Sequence, residues 1–450
     1  MTTASSAAPP KVASPDAKRG SSDAGGAGAA RSVPPLPYNL PSISRTPNRN
    51  PDVVNPRLSL LQPYPFERLR QWLAGVTPNP LLAPINLSIG EPRHPTPALL
   101  LDALAAGSSG IAHYPMTIGT PALRETIAGW LCRRHRLAAV DPGREVLPVL
   151  GSREALFSFA QTVLDPTLPG QLVVMPNPFY QIYEGAAWLG GATPMPVSGV
   201  AARGFATPWT EVPEAVWART RLVYVCSPDN PTGRVTTLDE WRTLFELSDR
   251  HGFVIAADEC YSEVYFDEAR PPLGSLAAAQ VLGRTGFPRL LAFGSLSKRS
   301  NAPGLRSGFV AGDAALVKAF LLYRTYHGSA MSPAVEAASR AAWNDEAHVR
   351  ANRREYAAKF ALLQPRVDAV LPCAMPDAAF YLWARTPIDD AEFARRLYEA
   401  ANVTVLPGSY FGRAVDGVNP GSGYVRIALV AARDECAEAI DRIVNFTRSL

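Results

Sequence analysis

Apolar positions along the chain fall into two repeats, one of short continuous runs and one of helix-spaced stripes. Continuous runs at 145–150, 171–175, 221–226, 253–257, 289–293 and 308–311 predict buried strands. Most of them alternate with amphipathic stretches. Residues 121–135 form one, and 153–164, with Leu156, Phe159 and Val163 on one face, form another. Strand and helix in alternation predict an α/β fold, a mostly parallel sheet covered by helices.

The alternation stops after Ala330. Ser332-Pro333 supplies an N-cap and a first-turn proline for a helix through Trp343. A long charged helix over 346–364, strand-like Ala379–Trp383, a late strand within 421–429 and a closing helix at 433–448 predict a smaller α/β C-terminal domain. Upstream, Leu58, Leu61, Phe66, Leu69 and Trp72-Leu73 are helix-spaced, and Ile85–Gly90 reads as a strand ending in a turn. The expected organisation is a disordered tail over 1–56, a segment 57–95 packing with the small domain, a large domain over 96–330 and the small domain over 331–450.

Composition sharpens this picture at the N-terminus. Residues 1–56 hold ten prolines and a single aromatic, Tyr38, too little apolar surface to offset ordering entropy. They also hold six Lys/Arg against three Asp/Glu, so of the formal +4 only +1 belongs to the rest. A nearly neutral body argues against nucleic-acid binding, and the Arg133-Arg134-His135-Arg136 run reads as a solvated helix end. No apolar run approaches a membrane-spanning length. Five scattered cysteines without a Cys-x-x-Cys spacing fit a reducing cytoplasm, and the six histidines show no metal-ligand spacing, so no metal is expected.

Chemistry concentrates just past the strand ends. There the sequence places Gly151-Ser152-Arg153, Asn177-Pro178-Phe179-Tyr180, Asp229-Asn230-Pro231-Thr232-Gly233, Asp258-Glu259-Cys260-Tyr261 and Ser295-Leu296-Ser297-Lys298. Open α/β sheets bind ligands outside the carboxyl ends of their strands, so these five loops are expected to share one crevice. Asp258 ends one of the most apolar runs of the chain, where a carboxylate is costly unless paired. Considered without the other loops, it reads equally as a satisfied structural aspartate. Lys298 lies among hydroxyls and the Arg306 guanidinium, a setting suited to a carbonyl ligand that bears a phosphate.

Ser-x-Ser-Lys, with an arginine eight residues on and Ser-Gly after it, resembles the lysine segment of the class I/II aminotransferases, fold type I enzymes that use pyridoxal 5'-phosphate (PLP). The resemblance covers residues 57–450. It implies that Lys298 condenses with the cofactor aldehyde and, once released by substrate, acts as the general base. A lysine with an ordinary pKa near 10.4 is mostly protonated at neutral pH, so neighbouring cations are expected to lower it. Asp258 would face the pyridine nitrogen, Tyr261 and Asn230 the ring hydroxyl, and Tyr180 the ring face, although a strand-end tyrosine is more often core. The phosphate would be held by the helix start at Ser152-Arg153, by Ser295 and Arg306 with Ser297 beside them, and by Tyr114 from a neighbouring subunit, which implies a homodimer. Arg426, with a backbone donor at Gly90, would grip the substrate α-carboxylate.

Leu61–Glu67, Ser88–Pro97 and Ser295–Phe309 resemble a narrower group, the succinyldiaminopimelate aminotransferases of bacterial lysine biosynthesis. That implies N-succinyl-L,L-2,6-diaminopimelate and 2-oxoglutarate as substrates. Both carry an acidic group far from the reacting amine, for which Arg93 and Arg324 are the cations considered. The alternatives are an aminotransferase for aspartate, alanine, aromatic acids or acetylornithine, a carbon–sulfur lyase, and a non-enzymatic PLP-binding regulator. Residues 1–56 are too rich in Pro and Gly to supply the DNA-binding module of the last.

Overall fold

The computed structural model describes residues 54–450, so the expected tail lies outside the described residues except for its last three. Its end is already ordered. Pro56 opens a 3-10 turn, Pro56–Leu60, whose N-cap Asn55 accepts from the Arg57 amide at 3.0 Å. The helix Pro65–Trp72 follows, with proline in its first turn where the missing N–H costs nothing.

Strand β1 (Ile85–Asn86) lies apart from the main sheet. Seven strands make that sheet: β2 (Val146–Val149), β3 (Leu172–Asn177), β4 (Thr193–Ser198), β5 (Thr220–Cys226), β6 (Val254–Asp258), β7 (Leu290–Ser295) and β8 (Gly308–Gly312). Their order is β2-β8-β7-β6-β5-β3-β4. Only β8 runs against its neighbours, so the other six present their carboxyl ends along one edge. Every residue of β2, β6, β7 and β8 is buried, which is why these strands read as continuous apolar runs. One face is covered by the helices Ser152–Val163, Ile182–Leu189 and Ala314–His327, through Leu156, Phe159, Tyr183 and Phe320. The helix Leu238–His251 buries Trp241, Leu244 and Phe245 and opens with a capping box between Thr237 and Glu240.

β4 has no counterpart in the sequence reading. Pro194 and Pro196 break its apolar run, yet β4 pairs only with β3 and forms the sheet edge, where a missing N–H breaks no ladder bond.

The C-terminal part contains β9 (Tyr381–Arg385), β10 (Val403–Thr404), β11 (Leu406–Pro407) and β12 (Tyr424–Ala428). β11, β12 and β9 form an antiparallel sheet, and β10 pairs in parallel with β1. Ile85 and Leu87 share one core with Phe360, Leu382, Ile427 and Ile440. The helix predicted over 346–364 runs through Pro365 to Asp368. The basic run 133–136 is only partly solvated. Arg134 pairs with Glu263 at 2.6 Å and His135 is buried, its pKa pushed down to about 3 by that burial, while Arg133 and Arg136 are exposed. No helix of the described residues is long and apolar enough to cross a membrane.

Candidate active site at the strand ends

Ser295 ends β7 and caps the short helix Leu296–Arg299, accepting from the Ser297 amide at 3.1 Å. The turn points Lys298 across the strand ends. Its Nζ donates to the Gly90 carbonyl at 2.5 Å and lies 5.6 Å from the Phe380 ring centre. Burial pushes the Lys298 amine down to about 8, and the guanidinium groups of Arg426 and Arg306 act in the same direction. Burial therefore outweighs the neighbouring cations invoked from sequence. At pH 7 about one amine in ten is then neutral, against fewer than about one in a thousand at the ordinary value.

Asp258 is the last residue of β6, level with Cys226 on β5 and Phe293 on β7. Tyr183 donates its hydroxyl to Oδ2 at 2.7 Å, and the Cys260 amide donates to Oδ1 at 3.2 Å. Burial nonetheless raises its pKa, more than these bonds lower it. A cationic partner would restore the charged form. Tyr261 shares a 2.8 Å hydrogen bond with the hydroxyl of Tyr381.

Gly90 enters the site through its carbonyl, whereas the sequence reading assigned it a backbone donor. An amine without a carboxylate partner takes the nearest backbone oxygen. A Cβ at residue 90 would fall 1.8 Å from the Tyr381 hydroxyl oxygen. Gly90→Ala is expected to displace Tyr381 and cost about 1–3 kcal/mol of stability, measurable by denaturant unfolding; an unchanged midpoint would show that the tyrosine yields freely.

On the opposite wall, β8 begins where the other strands end, and Arg306 precedes it in the left-handed conformation, φ 55°. Its guanidinium donates to Pro303 O at 3.0 Å and Leu150 O at 3.1 Å. A Cβ on residue 151 would fall 2.4 Å from Arg306 Nη2, so only glycine admits this approach, and Gly151 also takes φ 87°. The helix Ser152–Val163 starts beside it with no side-chain cap, leaving its first N–H groups available to an anion. Arg426, in β12, donates to Asn230 Oδ1 at 2.8 Å and to Ser88 O at 2.6 Å, and lies over the Tyr381 and Phe411 rings at 4.2 and 4.6 Å. Its Nε is buried without a partner. Lys298, Arg306 and Arg426 thus converge on one cavity and hydrogen-bond only to neutral acceptors, a donor set complementary to anions.

Every predicted site residue except Tyr114, Ser297 included, lines one cavity of about 650 Å³. Tyr114 is fully exposed and does not line it. Neither cation considered for the distal acid reaches the cavity. Arg93 pairs with Glu435 at 2.6 Å, and buried Arg324 reaches both oxygens of Glu154 at 2.7 Å. Tyr64, Phe66, Glu91, Cys226, Cys260 and Tyr381 line the cavity although sequence reasoning did not single them out. Tyr64, Phe66 and Glu91 carried a signal as parts of the Leu61–Glu67 and Ser88–Pro97 likenesses, and Cys260 as part of the loop after β6.

An amine for an aldehyde, a buried carboxylate for a ring nitrogen and a phosphate cradle at a helix start define a PLP-dependent enzyme of fold type I. The chain belongs to the aminotransferase class I and II family, whose model matches residues 83–443. It is 31% identical over 394 residues to the LL-diaminopimelate aminotransferase of Desulforudis audaxviator, covering 86% of this chain and 96% of that protein. It is 36% identical over 360 residues to the 4-dedimethylamino-4-oxo-anhydrotetracycline transaminase OxyQ of Streptomyces rimosus, covering 80% and 92%. Among solved structures, an aminotransferase from Neisseria meningitidis superposes with a TM-score of 0.85 at 52% identity, over 88% of this chain and all of that one.

Proposed function

We propose that this aminotransferase moves the amino group of N-succinyl-L,L-2,6-diaminopimelate to 2-oxoglutarate, in lysine and diaminopimelate biosynthesis. The observation that carries the reading is a guanidinium left over. With Arg306 assigned to the phosphate and Arg426 to the α-carboxylate, Arg153 still lines the cavity, exposed and over the Tyr64 ring at 5.2 Å. The sequence reading gave Arg153 to the cofactor phosphate; as the first residue after Ser152 it is equally placed to meet a distal carboxylate, which both substrates carry.

Bound PLP supplies the electron sink that makes the substrate Cα–H bond acidic. The protein does the rest. Lys298 Nζ, kept partly neutral by burial, takes that proton and returns it. Asp258 would hold a proton on the ring nitrogen, Asn230 and Tyr261 would hydrogen-bond the ring hydroxyl, and Tyr180 would cover the ring face. The start of the helix Ser152–Val163, Ser295 and Arg306 would hold the phosphate. Arg426 fixes the substrate by two parallel donors, which orients its Cα–H bond toward Lys298.

Unacylated diaminopimelate is the second reading. The Desulforudis relative is named for it, and Glu91 on the cavity wall would attract a free distal ammonium while opposing a succinyl carboxylate. A half-reaction panel decides, following conversion of the cofactor absorbance with N-succinyl-L,L-diaminopimelate, L,L-diaminopimelate, aspartate, alanine and phenylalanine. The succinyl compound is expected to react fastest, and faster reaction of the unacylated one would replace the proposal by the second reading. Arg153→Gln should raise KM for the acidic donor about 10–100-fold while leaving alanine nearly unaffected. Equal loss for both would return Arg153 to the phosphate.

The chain is further proposed to act as a cytoplasmic homodimer. Ile111, Tyr114 and Met116 expose apolar surface together, which a second copy would cover while placing Tyr114 at its partner's phosphate site. Sedimentation equilibrium of the full chain tests this, and a monomer at working concentration would refute it.

A further inference from the structure

A second buried lysine lies outside the cavity, and the chemistry above does not use it. Lys359, in the helix Ala347–Asp368, is 1% exposed. Its Nζ donates to Leu429 O at 3.1 Å and to Ala431 O, and meets His94 Nε2 at 2.7 Å. Three donors meet three acceptors, none of them a carboxylate. Nε2 of His94 faces the Lys359 ammonium and so accepts from it, and burial lowers the pKa of the ring in the same sense. With Nε2 accepting from Lys359, Nδ1–H donates to Asn352 Oδ1 at 2.7 Å, and the same oxygen accepts from Asn301 Nδ2 at 3.1 Å.

The two ends of this chain of bonds flank the active site. Asn301 follows Lys298 by three residues in one loop. Leu429 and Ala431 follow β12, the strand that carries Arg426. Between them, His94 belongs to the segment that touches both functional groups, since Gly90 O accepts from Lys298 and Ser88 O accepts from Arg426. Thr96 Oγ1 donates to Asn301 O at 2.7 Å and the Arg93 amide donates to Val430 O at 3.2 Å, so the same segment is tied at both ends. A buried ammonium without an anionic partner opposes folding, so stability alone does not account for a lysine at 359.

We propose that Lys359 is a positioning residue. Through His94 and Asn352 it locks the loop after Lys298 and the segment after Arg426 onto residues 88–96, and so fixes the separation between the amine that moves the proton and the guanidinium that grips the substrate. The inference rests on the roles given above to Lys298 and Arg426.

Two full-length holoenzyme variants test it. Lys359→Met keeps the length and removes the charge, and Asn352→Ala cuts the chain further along while leaving the bonds of Lys359 in place. Each is expected to raise KM for the amino donor about tenfold with kcat within about threefold. Each should also move the titration midpoint of the protein-bound cofactor absorbance up by about half a unit, since retreat of Arg426 and entry of water both favour the protonated form at Lys298. The double variant should be no worse than the worse single, because both cut one chain. Singles that fold with unchanged KM and midpoint, or a double variant whose loss is the product of the two, would overturn the proposal. If Lys359→Met does not fold, Asn352→Ala decides alone. A wild-type protein with no cofactor absorbance would instead overturn the role given to Lys298, so the two failures are distinguishable.

Discussion

Lys298→Ala is expected to reduce turnover by at least about 10⁴-fold and to remove the absorbance of covalently held cofactor. Among the described residues no other amine lines the cavity. Lys359, whose pKa burial also lowers, is held by carbonyl oxygens and His94 elsewhere in the fold. The alanine variant should still fold, because removing a buried ammonium relieves a desolvation cost and vacates only the bond to Gly90 O. Single-turnover kinetics and the absorption spectrum of the purified variant check both expectations. Near-normal turnover would end the assignment of Lys298.

Asp258→Asn is expected to cost about 10²–10³-fold in kcat with little loss of stability. The amide has the carboxylate's shape and can still accept from Tyr183, so what is lost is the charge opposite the ring nitrogen. In the wild type, burial opposes that charge, and a proton on the ring nitrogen is what would sustain it. Steady-state rates with a donor that reacts in the half-reaction panel give the measurement. A variant retaining more than about half of wild-type kcat would show that Asp258 is a structural carboxylate satisfied by Tyr183 and the Cys260 amide.

Much of this site was legible because strand ends are legible. Buried strands such as β6 and β7 appear as unbroken apolar runs, and a charged residue at the end of such a run has little surface to reach. The parallel order then brings loops distant in sequence to one edge, as expected for a sheet of this kind. What sequence could not supply were contacts between side chains on separate elements. Tyr183 sits inside a helix that reads as ordinary packing, yet its hydroxyl reaches Asp258. Tyr381 lies in an apolar strand, and only the fold shows its hydroxyl over Gly90 and against Tyr261. Arg324 looked available for a substrate until the fold placed Glu154 beside it. β4 was hidden by its own prolines, since sequence does not say which strand will be an edge.

The central claim is that the side chain at 298 is covalently joined to the cofactor within a ring of loops far apart in the chain. Hydride reduction of the holoenzyme with borohydride, followed by proteolysis and mass spectrometry, tests it most directly. The account predicts a single modified peptide, carrying the mass of reduced pyridoxyl phosphate on Lys298. The same mass on another lysine, or on none, would contradict it.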